Sequence, residues 1–277
     1  MRYFFLLIVV VWFGCHQPER SSLQKSKAVK KDSARLNRAA KRIKLKKEWH
    51  LDSLKDESVI NDAIAYIKSN KLTQANKQLR LWEDTSISVH ICIGKLFSKN
   101  LSHLILRSHV DWRMILYIYR IEPTGRMIRK IRDDWSDLTY IGDKVADING
   151  DGVNDFVVNW YPSSGCCARN NFHVYLYQKD NTFSNYFDFI NPSFFPKEKL
   201  VRGVDYGHPG EVPLYKYKWN GVKLDTLEYI YPVNETRKKF YVVHHYGDEL
   251  DPQKRKLITT VPKEYNKIGG YAWFMLK

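Results

Sequence analysis

Nine consecutive residues, Asp147-Ile148-Asn149-Gly150-Asp151-Gly152-Val153-Asn154-Asp155, constrain this chain more than any other stretch of it. Oxygen-bearing side chains stand at positions 1, 3, 5 and 9 of the run, and a glycine stands at position 6. Ca²⁺ takes about six to eight oxygen ligands, so a loop wraps it only by turning alternate side chains inward and bending sharply midway. Asp147, Asn149 and Asp151 supply the alternating oxygens, Gly152 permits the bend, Val153 offers its backbone carbonyl and Asp155 closes the set. The run from Phe156 to Tyr161 is β-branched and aromatic and reads as a strand. An EF-hand is excluded, because it needs flanking helices and a bidentate Glu at loop position 12, where this chain has Val158. The plainer alternative is a hairpin turn rich in Asp, Asn and Gly. Four oxygen-bearing side chains at ligand spacing favour calcium.

The rest of the chain reads as strands. Ile87, Val89 and Ile91 alternate with Ser86, Ser88, His90 and Cys92, the period of a half-buried strand. Further runs follow at Leu104–Leu106 and Trp112–Ile121, then a Pro123-Thr124-Gly125 turn, then Met127, Ile128 and Ile131. After the calcium loop come strands at 155–161, 172–177, 186–190, 200–206, 213–219, 223–231, 240–245 and 257–261, separated by Gly, Pro and Asn. Asn220-Gly221 is the clearest hairpin signal among them. Upstream, Asp56-Glu57-Ser58 precedes an apolar stripe at helical spacing (Val59, Ile60, Ala63, Ile64, Ile67), which predicts a short helix over 56–69 ending at Asn70-Lys71. Many short strands without a βαβ rhythm predict a mainly β chain. Its expected form is a single antiparallel sandwich- or barrel-like domain with a short N-terminal helix and one calcium loop. A propeller would repeat its blade signature, and the calcium motif occurs once.

The N-terminus sets the compartment. Met1-Arg2 precedes an unbroken apolar stretch from Tyr3 to Phe13, too short to span a bilayer and suited to a secretory signal. Gly14-Cys15 at its end resembles the bacterial lipoprotein signal, which implies that Cys15 is lipidated; a plain secretory signal or an uncleaved anchor is the alternative. Of the formal net charge of +15, residues 16–50 carry twelve Lys and Arg against Glu19, Asp32 and Glu48, a local +9. Such a run predicts a solvated, disordered tether. Leu36, Ala40 and Ile43 share a helical face, so a basic amphipathic helix on anionic lipid is the other reading. Nucleic-acid binding is a poor fit, because the charge lies in an exported leader and not across the domain. The expected organisation is a signal over 1–15, a tether over 16–50, a helical lead-in over 51–81 and a β-rich calcium-binding domain over 82–277.

Setting Cys15 aside leaves Cys92, Cys166 and Cys167, an odd number, so at least one thiol stays free or pairs between chains. A bond between adjacent Cys166 and Cys167 closes a strained ring, and Cys92 with either of them is at least as plausible. No catalytic constellation emerges. His244 and His245 are neighbours, His208-Pro209-Gly210 reads as a turn, and Asp133, Asp134 and Asp137 read as an acidic loop. No G-x-S-x-G, H-E-x-x-H or phosphate-cradling glycine loop is present in the sequence.

A D-x-N-G-D-G-x-x-D loop running into an apolar strand resembles the FG-GAP repeats of integrin-like propellers. The segment from Asp143 to Cys167 also resembles a set of exported bacterial proteins with one such loop, a strand, and then a Gly-rich turn carrying a Cys pair, here Ser163-Ser164-Gly165-Cys166-Cys167. The usual turn has a second glycine and often a His before the cysteines; this chain has Ser164 and no His. Some relatives of that type are periplasmic and look like the invertebrate-type lysozyme inhibitors. The expectation is a non-catalytic lipoprotein of the bacterial cell envelope, facing the periplasm or the cell surface and binding an envelope protein or glycan. One alternative is an inhibitor or immunity protein against a wall-degrading enzyme. The other is a glycan or peptide hydrolase with its acids among Asp133–Asp137 and Asp248–Asp251.

Overall fold

Residues 21–69 contain neither glycine nor proline and are rich in Ala, Leu, Lys and Arg, all good helix formers. In the computed structural model, which describes residues 21–136, 139–162, 170–234 and 236–276, they form one helix, α1 (Ser21–Ser69). The basic segment expected to be a disordered tether is therefore helical from residue 21 onward, because nothing in it breaks a helix. The predicted end is right. The backbone N–H and side-chain amide of Asn70 both bond the Tyr66 carbonyl (3.1 and 2.9 Å), and Lys71 takes a positive φ of 49°. The predicted start is wrong: Asp56, a start signal in the sequence, is buried inside the helix and ion-pairs with Arg113 at 2.8 Å. The chain divides into two compact units, residues 1–55 and 56–277. In the first, residues 40–45 are exposed. No helix of the described residues is long and apolar enough to cross a membrane. Cys15, the expected lipidation site, lies outside the described residues.

The second unit holds three antiparallel sheets, each a meander in chain order. The first contains β1 (Ala75–Leu79), β2 (Ile87–Gly94), β3 (Ser102–Val110), β4 (Arg113–Ile121) and β5 (Met127–Ser136). The second contains β6 (Tyr140–Ala146), β7 (Asp155–Trp160), β8 (Asn171–Tyr175) and β9 (Phe187–Ile190). The third contains β10 (Pro192–Phe195), β11 (Leu200–Val204), β12 (Leu214–Asn220), β13 (Lys223–Pro232), β14 (Phe240–Val243) and β15 (Lys256–Ile258). A short helix, α2 (Tyr271–Met275), comes last. The mainly β, antiparallel class expected from the sequence holds.

Alternation along the strands explains how the layers join. On β4, Ile115, Tyr117 and Tyr119 pack with Val59, Ile60, Ala63 and Ile67 of α1. The intervening Met114, Leu116 and Ile118 pack with Phe156, Val158 and Tyr175 of the second sheet. On β7 and β8, Val157 and Val174 turn the other way, into a core with Val201, Tyr215, Trp219 and Tyr229 of the third sheet. The outer face of that sheet (Leu214, Ile230, Phe240) closes on Tyr265, Ile268 and Phe274 of the C-terminal segment. A strand buried on both faces reads as a continuous apolar run, which is why Met114–Ile118 lacks alternation in the sequence.

Polar links cross the same boundaries. Arg107 on β3 grips Asp143 on β6 with two donors, and the Tyr140 hydroxyl donates to the same carboxylate. In the third sheet Lys216 bridges Glu228 and Glu264 at 2.6 Å each. His103, on β3, is fully buried between the edges of Phe97 and Tyr177. Its pKa falls to about 4, mainly because burial disfavours the imidazolium, with Arg120 and then Lys130 adding to the effect and the Leu101 carbonyl opposing it.

Candidate functional site

The loop joining β6 to β7 folds around its own side chains. Asp147 accepts the backbone N–H of Gly150 on one carboxylate oxygen and that of Gly152 on the other, at 2.7 and 2.9 Å. Asn149 Oδ1 accepts from Asp151 N (3.1 Å), and Asp151 Oδ1 accepts from Val153 N (2.8 Å). The Asn149 amide donates to Asp151 Oδ2 at 3.0 Å. Gly150 and Gly152 both have positive φ, and a Cβ on Gly150 would stand 2.0 Å from the Pro196 carbonyl oxygen. These two positions therefore demand glycine.

Asp155 opens β7 with no exposed surface. Its carboxylate accepts the N–H of Ile148 (2.9 Å) and of Tyr177 (3.0 Å), tying the loop to the end of β8. Burial pushes its pKa up to about 7; the charge of Asp151 adds to this, and the backbone donors, Ile148 first, oppose it. Asp147, Asn149 and Asp151 are thus brought together, with Asp155 behind them on the backbone amides. Among the described residues, no three His, Cys, Asp or Glu side chains form a group that could hold a metal ion. The donor set itself fits a hard cation. It is all oxygen, and each engaged oxygen of Asp147, Asn149 and Asp151 keeps a further lone pair after its hydrogen bond.

The loop borders a groove of about 1240 Å³ lined by residues 95–100, 151–154 and 177–181, with Gly221-Val222 at the tip of the β12–β13 hairpin. The Asn154 side chain donates to the Leu96 carbonyl at 2.9 Å, so the loop also braces the turn between β2 and β3. Lys95, Lys99 and Lys179 give the lining a basic character against Asp151 and Asp180.

The other candidates separate. Cys92 is a free, half-buried thiol on β2; Cys166 and Cys167, the other members of the possible pairings, lie outside the described residues. Burial raises the Cys92 pKa, and the nearby Arg107 opposes that shift. A half-buried place in a strand holds this thiol by its packing. His244 and His245 are exposed just past β14, and His244 bonds the Leu227 carbonyl at 2.9 Å. Asp248 is engaged by Lys254 at 3.0 Å and Asp251 lies 3.9 Å from the same amine, an ordinary surface arrangement. Asp134 pairs with Arg132 at 2.7 Å, and Asp137 lies outside the described residues.

Asp133 does more than the sequence suggested. It accepts from His173 Nδ1 at 3.1 Å and from the Tyr175 hydroxyl. His173 is enclosed by Trp135 and Trp160, with ring centroids 5.7 and 5.6 Å away, and stacks on Tyr186 at 4.1 Å. The signal was available, since His173 and Tyr175 fall on one face of a strand. Their acid arrives from forty residues upstream, and that pairing is not readable without the sheets. Compared with known proteins, the chain matches no family model, no curated protein and no solved structure.

Proposed function

We propose that this chain is a calcium-braced β protein held at the bacterial cell envelope through a lipidated Cys15, binding a macromolecular partner there without catalysing a reaction on it. The observation that carries this reading is the bond from Asn154 to the Leu96 carbonyl, which makes the Asp147–Asp155 loop part of the frame of the groove beside it. An ion held by Asp147, Asn149, Asp151, the Val153 carbonyl and Asp155 would neutralise three carboxylates and fix that frame. Lysines and amides around an open groove supply charge and hydrogen bonds suited to a polymer, whether envelope protein or glycan. The deciding experiment is capture of envelope extract on the full chain in calcium and in chelator. Calcium-dependent retention of a partner, lost in Lys95→Glu/Lys99→Glu, is expected; retention indifferent to both changes refutes the reading.

Two further outcomes follow from it. Millimolar Ca²⁺ is expected to stabilise the fold by ~0.4–1.4 kcal/mol if the site binds at the ~10⁻⁴–10⁻³ M typical of extracellular modules, with Mg²⁺ substituting poorly. Thermal unfolding in chelator, Ca²⁺ and Mg²⁺ measures this, and a loop that is only a turn gives three superimposable curves. Cys15→Ser is expected to move the protein to the soluble fraction or leave it unprocessed, without acyl mass. Unchanged membrane association would rule out the lipid anchor.

A further inference from the structure

The outer rim between β5 and the β8–β9 connection holds a second cavity, of about 610 Å³, bordered by Lys130, Asp133, Tyr175, Asn185 and Tyr186. Tyr186 is half exposed, at 51%. One face of its ring is backed by His173, the planes 18° apart. His173 is itself fixed by Asp133 and by the two indoles of Trp135 and Trp160. The Tyr175 ring also stands against Tyr186, steeply inclined with centroids 5.7 Å apart, and the half of the Tyr186 surface not covered by these neighbours is open to solvent.

Asp133 is acceptor-only when ionised, with about four lone-pair positions. Donors from His173 and the Tyr175 hydroxyl meet one oxygen, and the Asp134 backbone N–H meets the other at 3.1 Å, which leaves capacity on that second oxygen.

We propose that this wedge binds a pyranose ring of an envelope glycan, with Tyr186 as the stacking platform and Asp133 as a hydroxyl acceptor. The inference rests on the reading of the chain as an envelope-binding protein and names its polymer. A sugar ring carries an apolar C–H face that an aromatic plane covers, and hydroxyls that a carboxylate orients. The rim amide of Asn185 and the amine of Lys130 provide donors to the remaining oxygens.

The test uses the full chain in detergent, titrated with soluble glycan strands of alternating N-acetylated amino sugars from purified peptidoglycan. Emission from Trp135 and Trp160 reports occupancy, and co-sedimentation with insoluble sacculi provides a second measurement. Saturable binding is expected, weakened about tenfold or more in Tyr186→Ala and retained in Tyr186→Phe, since the ring and not the hydroxyl is the platform. Asp133→Asn tests the acceptor, and a melting curve for each variant separates lost binding from lost folding. Equal binding by Tyr186→Ala and wild type overturns the site. A wild-type chain that ignores glycan in both assays yet retains an envelope protein in calcium overturns this inference and leaves the proposed function standing; retention of neither overturns both.

Discussion

Asp155→Ala is expected to lower the melting temperature by roughly 10 °C in chelator at pH 6, the largest loss of any single substitution in the Asp147–Asp155 loop. The buried carboxyl accepts the Ile148 and Tyr177 backbone N–H groups, and removal leaves both donors buried without an acceptor. Each unsatisfied group costs about 1–3 kcal/mol, and the vacated volume adds to that. Asp155→Asn keeps one acceptor oxygen and should lose less. An alanine variant that melts within a degree or two of wild type would mean that β7 and the end of β8 are not held through this side chain.

In chelator, two buried groups are expected to titrate in opposite senses, so that their contributions to wild-type stability nearly cancel between about pH 4 and 6.5. The folded-state pKa of Asp155, about 7, lies above its ordinary value. Its protonation therefore stabilises the fold; the benefit is complete below the ordinary carboxylate range and is lost as pH rises through 7, an effect of ~4 kcal/mol. The folded-state pKa of His103, about 4, lies below its ordinary value. Its neutrality stabilises the fold above pH ~6.5, and that contribution, ~3 kcal/mol, is lost as pH falls from there through 4. Chemical denaturation from pH 8 to 4 measures both contributions. Asp155→Asn should unmask a loss of stability toward acid from His103, and His103→Phe should unmask a stability that falls as pH rises toward 7. Calcium should act in the same sense as Asp155→Asn, since a cation beside the loop favours the ionised carboxyl. Variant profiles that keep the wild-type slope would contradict the assignment.

Strands with one apolar face, or with both faces buried, were legible from the sequence. Val89 and Ile91 alternate with polar neighbours, and Met114–Ile118 is too apolar to be anything but interior. Strands held by backbone pairing alone were not. β1 buries only Leu79 and falls inside the segment expected to be a helical lead-in, and β6 has no fully buried residue. The Asn220-Gly221 signal placed the hairpin correctly but one residue early, since Asn220 pairs with Lys223 and the turn is Gly221-Val222. A hairpin of this length needs positive φ at its first loop residue, where Gly221 has 61°. The short C-terminal helix α2 was missed because five residues show no period. The candidate loop was legible because its oxygen-bearing side chains are close in sequence. The Asp133–His173 pair was not, because only the packing of one sheet on another brings its members together.

The meandering sheets have a consequence for how the molecule is made. Each strand pairs with its neighbour in the chain, so within each sheet ordering closes only short loops and carries a low entropic cost. The second sheet, however, has an apolar side toward each neighbour, and its central strands β7 and β8 bury residues on both. A chain emerging N-terminus first can therefore complete the α1–β5 layer as soon as Ser136 has appeared. That layer then offers Ile105, Leu116 and Ile118 as the template on which β6–β9 order, and they in turn template the last six strands. Truncation from the C-terminus should accordingly leave a protease-resistant core that ends at a sheet boundary, whereas loss of the first sheet should leave nothing folded downstream.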